Sequence, residues 1–226
     1  MRIIQPEAKI LFPIDGVQSL KHLELIGRVC YKSEDKISDD SYIQFLQRIV
    51  KSGHESVIEH EKITVKLVCD RGVSHELVRH RIASFSQEST RYCNYSNEKF
   101  GSELTVIHPL FWGEEDNRFL IWKNQMQQAE NAYFELLRLG ASPQEARSVL
   151  PNSLKTEIVI TMNMREWRHF FRLRMAPAAH PQMREICAIL LDEFLRAIPV
   201  LFDEFKPLLD EYRLSLLNKE RNVNYG

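Results

Sequence analysis

The chain has 226 residues, 44% hydrophobic and 27% charged, with 30 Lys and Arg against 31 Asp and Glu for a net charge of -1. That is enough chain to bury a sizeable core as one large domain or two small ones, and its charge is too balanced for a partner that is a long polyanion. The opening Met1-Arg2-Ile3-Ile4-Gln5-Pro6-Glu7 has no uninterrupted apolar segment, and no apolar run approaches the roughly 20 residues of a membrane span. Neither membrane nor nucleic acid is therefore expected as a partner, and the cytoplasm is the expected location.

Residues 18–29 and 41–51 carry helical apolar spacing, the second entered from Ser38-Asp39-Asp40 and stopped by Gly53. In 62–69, Ile63, Val65 and Leu67 fall on one face and Thr64 and Lys66 on the other, which predicts a strand. Residues 73–81 are expected to form a helix delivering an arginine-rich stretch, and 104–108 a second strand ending at Pro109. Residues 115–139 have helical period and close at Gly140. Ser142-Pro143-Gln144-Glu145 then offers an N-cap, a proline at N1 and an N3 glutamate for a short helix that carries Arg147 and ends near Pro151. The Thr, Ile and Val of 154–162 predict a third strand, followed by helices at 165–174, 182–197 and 199–217. Three strands among seven or so helices indicate an α+β fold, and the polar end 218–226 is expected to fray.

Chemistry concentrates in 79–92, where Arg79, Arg81 and Arg91 stand with His80, Ser84, Ser86, Ser89, Phe85 and Tyr92. Arginine forks match phosphate, and serine hydroxyls with backbone N–H groups complete an anion pocket, so a phosphorylated small molecule is the expected ligand. The eight glycines form neither GxGxxG nor GxxxxGK, which leaves side chains to supply the donors. No metal is expected, because His54 and His60 are six apart rather than on one helical face. Cys30, Cys69, Cys93 and Cys187 form no CxxC pair and are expected to be buried or idle thiols. A second basic cluster spans 163–174, with Trp167, Phe170 and Phe171 predicted to face the core and Arg165, Arg168, His169 and Arg172 to line another face.

These segments together resemble the flavin-dependent thymidylate synthases, whose hallmark is an Arg-His-Arg triplet followed by seven residues and a serine. Here Arg79-His80-Arg81 is followed by 82–88 and Ser89. Gly53-His54-Glu55-Ser56 with Glu59-His60, Ala146-Arg147 with Val149-Leu150-Pro151, and Asn163-Met164-Arg165 through Leu173-Arg174 and His180 match in the same order, so the likeness runs from about His54 to Arg184. It implies one α+β domain over the whole chain with a central antiparallel sheet flanked by helices, assembled as a homotetramer. The implied reaction makes dTMP from dUMP, with methylenetetrahydrofolate as one-carbon donor and FAD, reduced by NADPH, as hydride source.

By this resemblance Arg79, His80 and Arg81 bind FAD, with Ser56, Gln87, Asn163, Met164, Arg165 and His169 also at the flavin. Ser89 and Arg91 match phosphate-binding positions, with Glu76, Arg79, Gln87, Glu88 and Thr90 alongside, and Arg147 matches a dUMP ligand supplied across a subunit boundary. Arg174 is the expected catalytic residue, set against the uracil ring to stabilise negative charge at O2 and N3 as C5 becomes nucleophilic. Ser89 is expected to bind phosphate rather than attack C6, because no base adjoins it. His75-Glu76 and Ser86-Gln87 depart from the commoner glutamine and Asn-Glu of the family. Two other classes fit parts of the pattern: a nucleotide hydrolase, for which no carboxylate cluster is visible, and an RNA-binding module, which would bind with strong salt dependence and no chromophore.

Overall fold

The computed structural model describes residues 1–97 and 101–223, with side chains to Leu217; the end of the expected frayed tail, 224–226, lies outside the described residues. In chain order the strands are β1 (Arg2–Ile4), β2 (Glu7–Ile10), β3 (Lys62–Asp70), β4 (Ser84–Gln87), β5 (Thr105–Ile107) and β6 (Lys155–Asn163). The helices are α1 (Gly16–Val29), α2 (Ser41–Lys51), α3 (Arg71–Leu77), α4 (Asn117–Arg138), α5 (Pro143–Ala146), α6 (Met164–Arg174), α7 (Pro181–Ala197), α8 (Pro199–Phe202) and α9 (Lys206–Val223). Four strands form a sheet in the order β2-β3-β6-β4, and β1 pairs with β5 in parallel in a separate two-stranded sheet. Thr64 meets Thr161 at 2.8 Å while Lys66 meets Glu157, so partner numbers fall as β3 advances and β3 and β6 run antiparallel.

Three short strands absent from the sequence expectation, β1, β2 and β4, raise the count among the described residues to six. Three helices also differ, one of them the short helix expected to carry Arg147 and end near Pro151, which as α5 stops at Ala146. The helix expected over 73–81 is α3, which starts two residues earlier and stops at Leu77; Arg79 N–H and His80 N–H turn back to Glu76 O (3.3 Å) and Leu77 O (3.1 Å), so the triplet begins in a tightened turn. The helix expected over 199–217 is broken into α8, a turn and α9. Pro207 has no N–H to give to a carbonyl four residues back, and its ring would strike that carbonyl.

The packing groups the chain into two compact units, one of Met1–Glu7, Lys66–His80 and Phe85–Val159, the other of Ala8–Val65, Arg81–Ser84 and Ile160–Gly226. In the first, Tyr133 of α4 packs on Tyr95 with ring centroids 5.8 Å apart, and both bury with Leu104, Ala146 and Leu154. Buried Glu130 of α4 accepts the Leu104 N–H at 2.8 Å and pairs with the Met1 ammonium at 3.1 Å. In the second, Phe170 of α6 meets Trp167 and Phe171 edge-on, Trp167 and Phe171 stack on each other, and both meet Phe194 of α7 edge-on, so all three face the core as the helical spacing predicts. Arg168 departs from the expected exposed face. It is 1% exposed because Glu55 (3.0 Å), Glu204 (2.8 Å) and the Leu201 carbonyl, all remote in sequence, neutralise and satisfy it.

Candidate active site

In the first unit, β3 ends at Asp70, whose carboxylate caps α3 by accepting the Val73 N–H at 2.7 Å. The Arg71 and Gly72 N–H groups reach Asn152 O at 2.9 and 3.3 Å, which ties the start of α3 to the segment before β6. Beside this junction lies a cavity of about 460 Å³ lined by Arg71, His75, Thr90, Gln144, Arg147, Ser148, Leu150, Pro151 and Asn152, with no carboxylate in its wall. Arg147 follows the capping box of α5, in a 3-10 turn rather than in the helix, and its guanidinium donates to Thr90 Oγ1 at 3.4 Å. Two arginines, a histidine and several hydroxyl and amide groups without a competing anion form an anion cradle. Arg71 was not singled out in the sequence, where its only signal was an arginine directly after the N-cap Asp70, and His75 was noted only as a departure from the family pattern, not as a ligand.

The segment that supplies Thr90 is pinned from below. Extended backbone ends at Gln87, and 90–92 form a turn in which Ser89 O accepts the Tyr92 and Cys93 N–H groups at 3.2 and 2.9 Å. Ser89 and Arg91 therefore sit on a turn, not on one face of an extended strand; Ser89 Oγ accepts the Arg91 N–H at 3.3 Å, and the Arg91 guanidinium lies 5.4 Å from the Tyr92 ring centroid. Gln87 spends its amide hydrogens on Ser74 Oγ (2.9 Å) and Thr156 Oγ1 (3.1 Å), leaving its carbonyl oxygen as acceptor. Glu88 accepts from Tyr95 OH (3.1 Å), Lys155 Nζ (3.0 Å) and the Glu157 N–H (3.3 Å). Burial alone would depress the Lys155 ammonium, but hydrogen bonds to Glu157 and Glu88 raise its pKa, and Lys155 with Lys66 holds Glu157 below the usual carboxylate value.

In the second unit a cavity of about 450 Å³ is lined by Glu55, Glu59, Ile82, Asn163, Arg165, Glu166, His169 and Arg172. Three of the flavin candidates, Asn163, Arg165 and His169, are brought together here. Asn163 Oδ1 caps α6 by accepting the Glu166 N–H at 2.8 Å, so its NH2 is left to face a ligand. Arg165 is exposed and reaches Glu59 at 2.5 Å, whereas Met164 is buried and its N–H goes to Glu61 O at 2.9 Å. The mixture of amide, imidazole and guanidinium donors beside carboxylates suits a ligand with ring heteroatoms as well as charge. Ser56 lies exposed in the 3-10 turn Glu55–His60.

Of the other expected site residues, Arg79 and Arg81 are exposed, His80 is 4% exposed, Glu76 is half-buried on α3, and Arg174 is half-buried as the last residue of α6. Cys69 and Cys187 are buried, and burial pushes the Cys69 thiol up to about 12; Cys30, expected among buried or idle thiols, is exposed because it caps the solvent-facing end of α1.

Fold and cavities together describe an α+β enzyme for an anionic small molecule, with a basic cradle and a second, mixed-donor pocket. Residues 14–200 match the family of the thymidylate synthase complementing protein. The chain is 32% identical to a flavin-dependent thymidylate synthase of Pyrococcus furiosus over 198 residues, covering 87% of this chain and 78% of that one. It is 35% identical to that of Geobacter sulfurreducens over 190 residues, 81% and 80% of the two chains. The chain belongs to the flavin-dependent thymidylate synthase family and is a methyltransferase enzyme. Its fold also matches a UMP/dUMP methylase, PolB, of Streptomyces cacaoi bound with 5-Br dUMP, with a TM-score of 0.73 and 22% identity over 92% of this chain and 97% of that one. No helix among the described residues is long and apolar enough to cross a membrane.

Proposed function

We propose that this protein converts dUMP to dTMP, taking the one-carbon unit from methylenetetrahydrofolate and using FAD reduced by NADPH. The observation that carries the reading is the meeting of Arg147 with Thr90, 57 residues apart, in a basic cavity free of carboxylates. Such a cavity holds a phosphate monoester by charge-assisted hydrogen bonds and leaves a base to be read elsewhere. Arg147, Thr90, Ser89 and Arg91 take the phosphate, with Arg71 and His75 completing the cradle.

Gln87 offers the nucleotide only its carbonyl oxygen, so it reads a sugar hydroxyl or the base N3–H. Glu88, whose oxygens are already occupied, contributes by fixing the turn. Asn163, Arg165 and His169 hold the flavin, joined by Ser56, Met164 and the triplet Arg79, His80 and Arg81. The donor set of their cavity fits that group, which when reduced supplies the hydride that completes the methyl. Arg174 stabilises negative charge on uracil O2 and N3 as C5 attacks, a role whose removal costs about a hundred- to thousandfold in rate. Assembly as a homotetramer completes the reading.

The test is the visible spectrum of the purified protein before and after dUMP is added, together with turnover of dUMP in the presence of NADPH and methylenetetrahydrofolate. An oxidised-flavin spectrum that shifts with dUMP, and dTMP as product, is the expected result. A colourless protein that FAD does not reconstitute overturns it.

A further inference from the structure

Ser74 of α3 and Thr156 of β6, 0% and 1% exposed, both meet the side-chain amide of Gln87 at the end of β4. The direction of these bonds follows from Ser74. Its one hydroxyl hydrogen goes to Arg71 O at 2.9 Å in its own helix, so toward Gln87 its oxygen can only accept. The Gln87 atom 2.9 Å from Ser74 Oγ is therefore the amide nitrogen, and Thr156 Oγ1, 3.1 Å from the same nitrogen, takes the second hydrogen. Turning the amide over would set its oxygen against the Ser74 lone pairs and leave two buried hydroxyls without their donor. Gln87 Oε1 is thereby the free end of the amide, and among the described residues nothing donates to it.

A fixed acceptor selects a donor on the ligand, and dUMP has two away from its phosphate, the deoxyribose 3′-hydroxyl and the uracil N3–H. Gln87 stands two residues before Ser89, so their Cα atoms are at most about 7 Å apart, within reach of the sugar of a nucleotide whose phosphate lies at Ser89. The N3–H is the poorer match. Negative charge builds at N3 as C5 attacks, and a carbonyl oxygen fixed beside it would oppose that charge. Resting on the function proposed above, we infer that Ser74 and Thr156 are positioning residues that hold Gln87 as an acceptor for the 3′-hydroxyl. Neither touches the nucleotide. Their consequence is specificity, because a ligand whose 3′ substituent cannot donate sets lone pairs against the fixed Oε1.

The test compares dissociation constants, by isothermal titration calorimetry, of dUMP and of its 3′-fluoro analogue, which is close in size but has no 3′ donor. The parent is expected to prefer dUMP by about tenfold or more, the effect of one hydrogen bond replaced by opposed lone pairs. In Ser74→Ala/Thr156→Val the amide is free to turn, and the preference is expected to fall below about threefold, whereas Thr156→Ser, which keeps a hydroxyl, retains it. Should the double variant not fold, Thr156→Val alone, close in shape to the parent residue, is expected to lower the preference by about twofold or more. Equal weakening of both nucleotides with their ratio intact is what a purely structural role gives, and it overturns the assignment, as does a parent that binds the two alike. A parent that binds neither nucleotide is a failure of the proposed function. The lock is then read by NMR from the Gln87 side-chain amide protons: slow exchange with solvent in the parent and fast exchange in the variants support it, and fast exchange in both sinks it.

Discussion

Lys155 Nζ lies 3.0 Å from Glu88 Oε2, with Glu157 on its other side at 2.7 Å, and this pair holds the start of the turn that presents Ser89, Thr90 and Arg91. Replacing Glu88 with Gln keeps its size and its Tyr95 contact but removes the charge that Lys155 answers. The expected outcome is a dUMP KM raised about tenfold, roughly the 1.4 kcal/mol of one weakened charged hydrogen bond, with kcat at saturating dUMP held within threefold. Steady-state kinetics check this. A collapse of kcat at unchanged KM would instead place Glu88 in contact with the reacting atoms.

The same network sets an acid limit to stability. Glu157 has a folded pKa below the usual 4.5, through its hydrogen bonds to Lys155 and Lys66, so the folded state binds its proton less readily than the unfolded chain. Its contribution is present above the unfolded value and is lost as pH falls through the folded one. Lys155 works in the opposite direction: its raised pKa gives stability present below its usual 10.5 and lost as pH rises beyond the folded value. Melting temperature followed from pH 7 down to pH 3 is expected to fall less steeply below pH 4.5 in Glu157→Gln than in the parent. Superimposable profiles would show that the carboxylate contributes nothing.

How much of this was readable in the chain depended on whether a residue's partner was local. Helix α2 emerged at its observed bounds because Asp40 and Gly53, with φ of 71°, mark its ends in the sequence itself. The capping box of Ser142 and Glu145 was equally local. Strands β1, β2 and β4 have three or four residues, too few for alternation to show, and are defined by neighbours far along the chain. Arg71 and His75 gained meaning only when the fold set them beside Arg147. The flavin candidates Asn163, Arg165 and His169 were named from the sequence and do line one cavity. Glu88 was named as a ligand, and only the positions of Lys155 and Tyr95 show its carboxylate to be occupied.

Arg174 ends α6 with its side chain half-buried. If it stabilises charge on the uracil, Arg174→Ala is expected to lose at least a hundredfold in turnover, with the flavin spectrum of the purified protein unchanged. Stopped-flow measurement of flavin reduction by NADPH separates this from a folding defect, because that half-reaction does not involve the uracil. Turnover close to that of the parent would remove Arg174 from the chemistry.

Arg168 offers the sharpest test of how the second unit holds its shape. Its guanidinium is enclosed and divides its donors among Glu55, Glu204 and the Leu201 carbonyl, an arrangement that needs a planar fork rather than a point charge. Arg168→Met leaves Glu55, itself a wall of the flavin-candidate cavity, without its closest cation, and is expected to cost about 3–5 kcal/mol of stability. Arg168→Lys keeps the charge but reaches only one acceptor well, so it should recover less than half of that loss. Removing that carboxylate as well, in Arg168→Met/Glu55→Gln, should recover more than Lys does, because Glu55 keeps Arg172 only at 3.9 Å and the penalty lies in a poorly compensated, largely buried charge rather than in lost attraction. Urea unfolding of the four proteins measures the set, and a Lys variant as stable as the parent would mean that the fork geometry is not what the site requires.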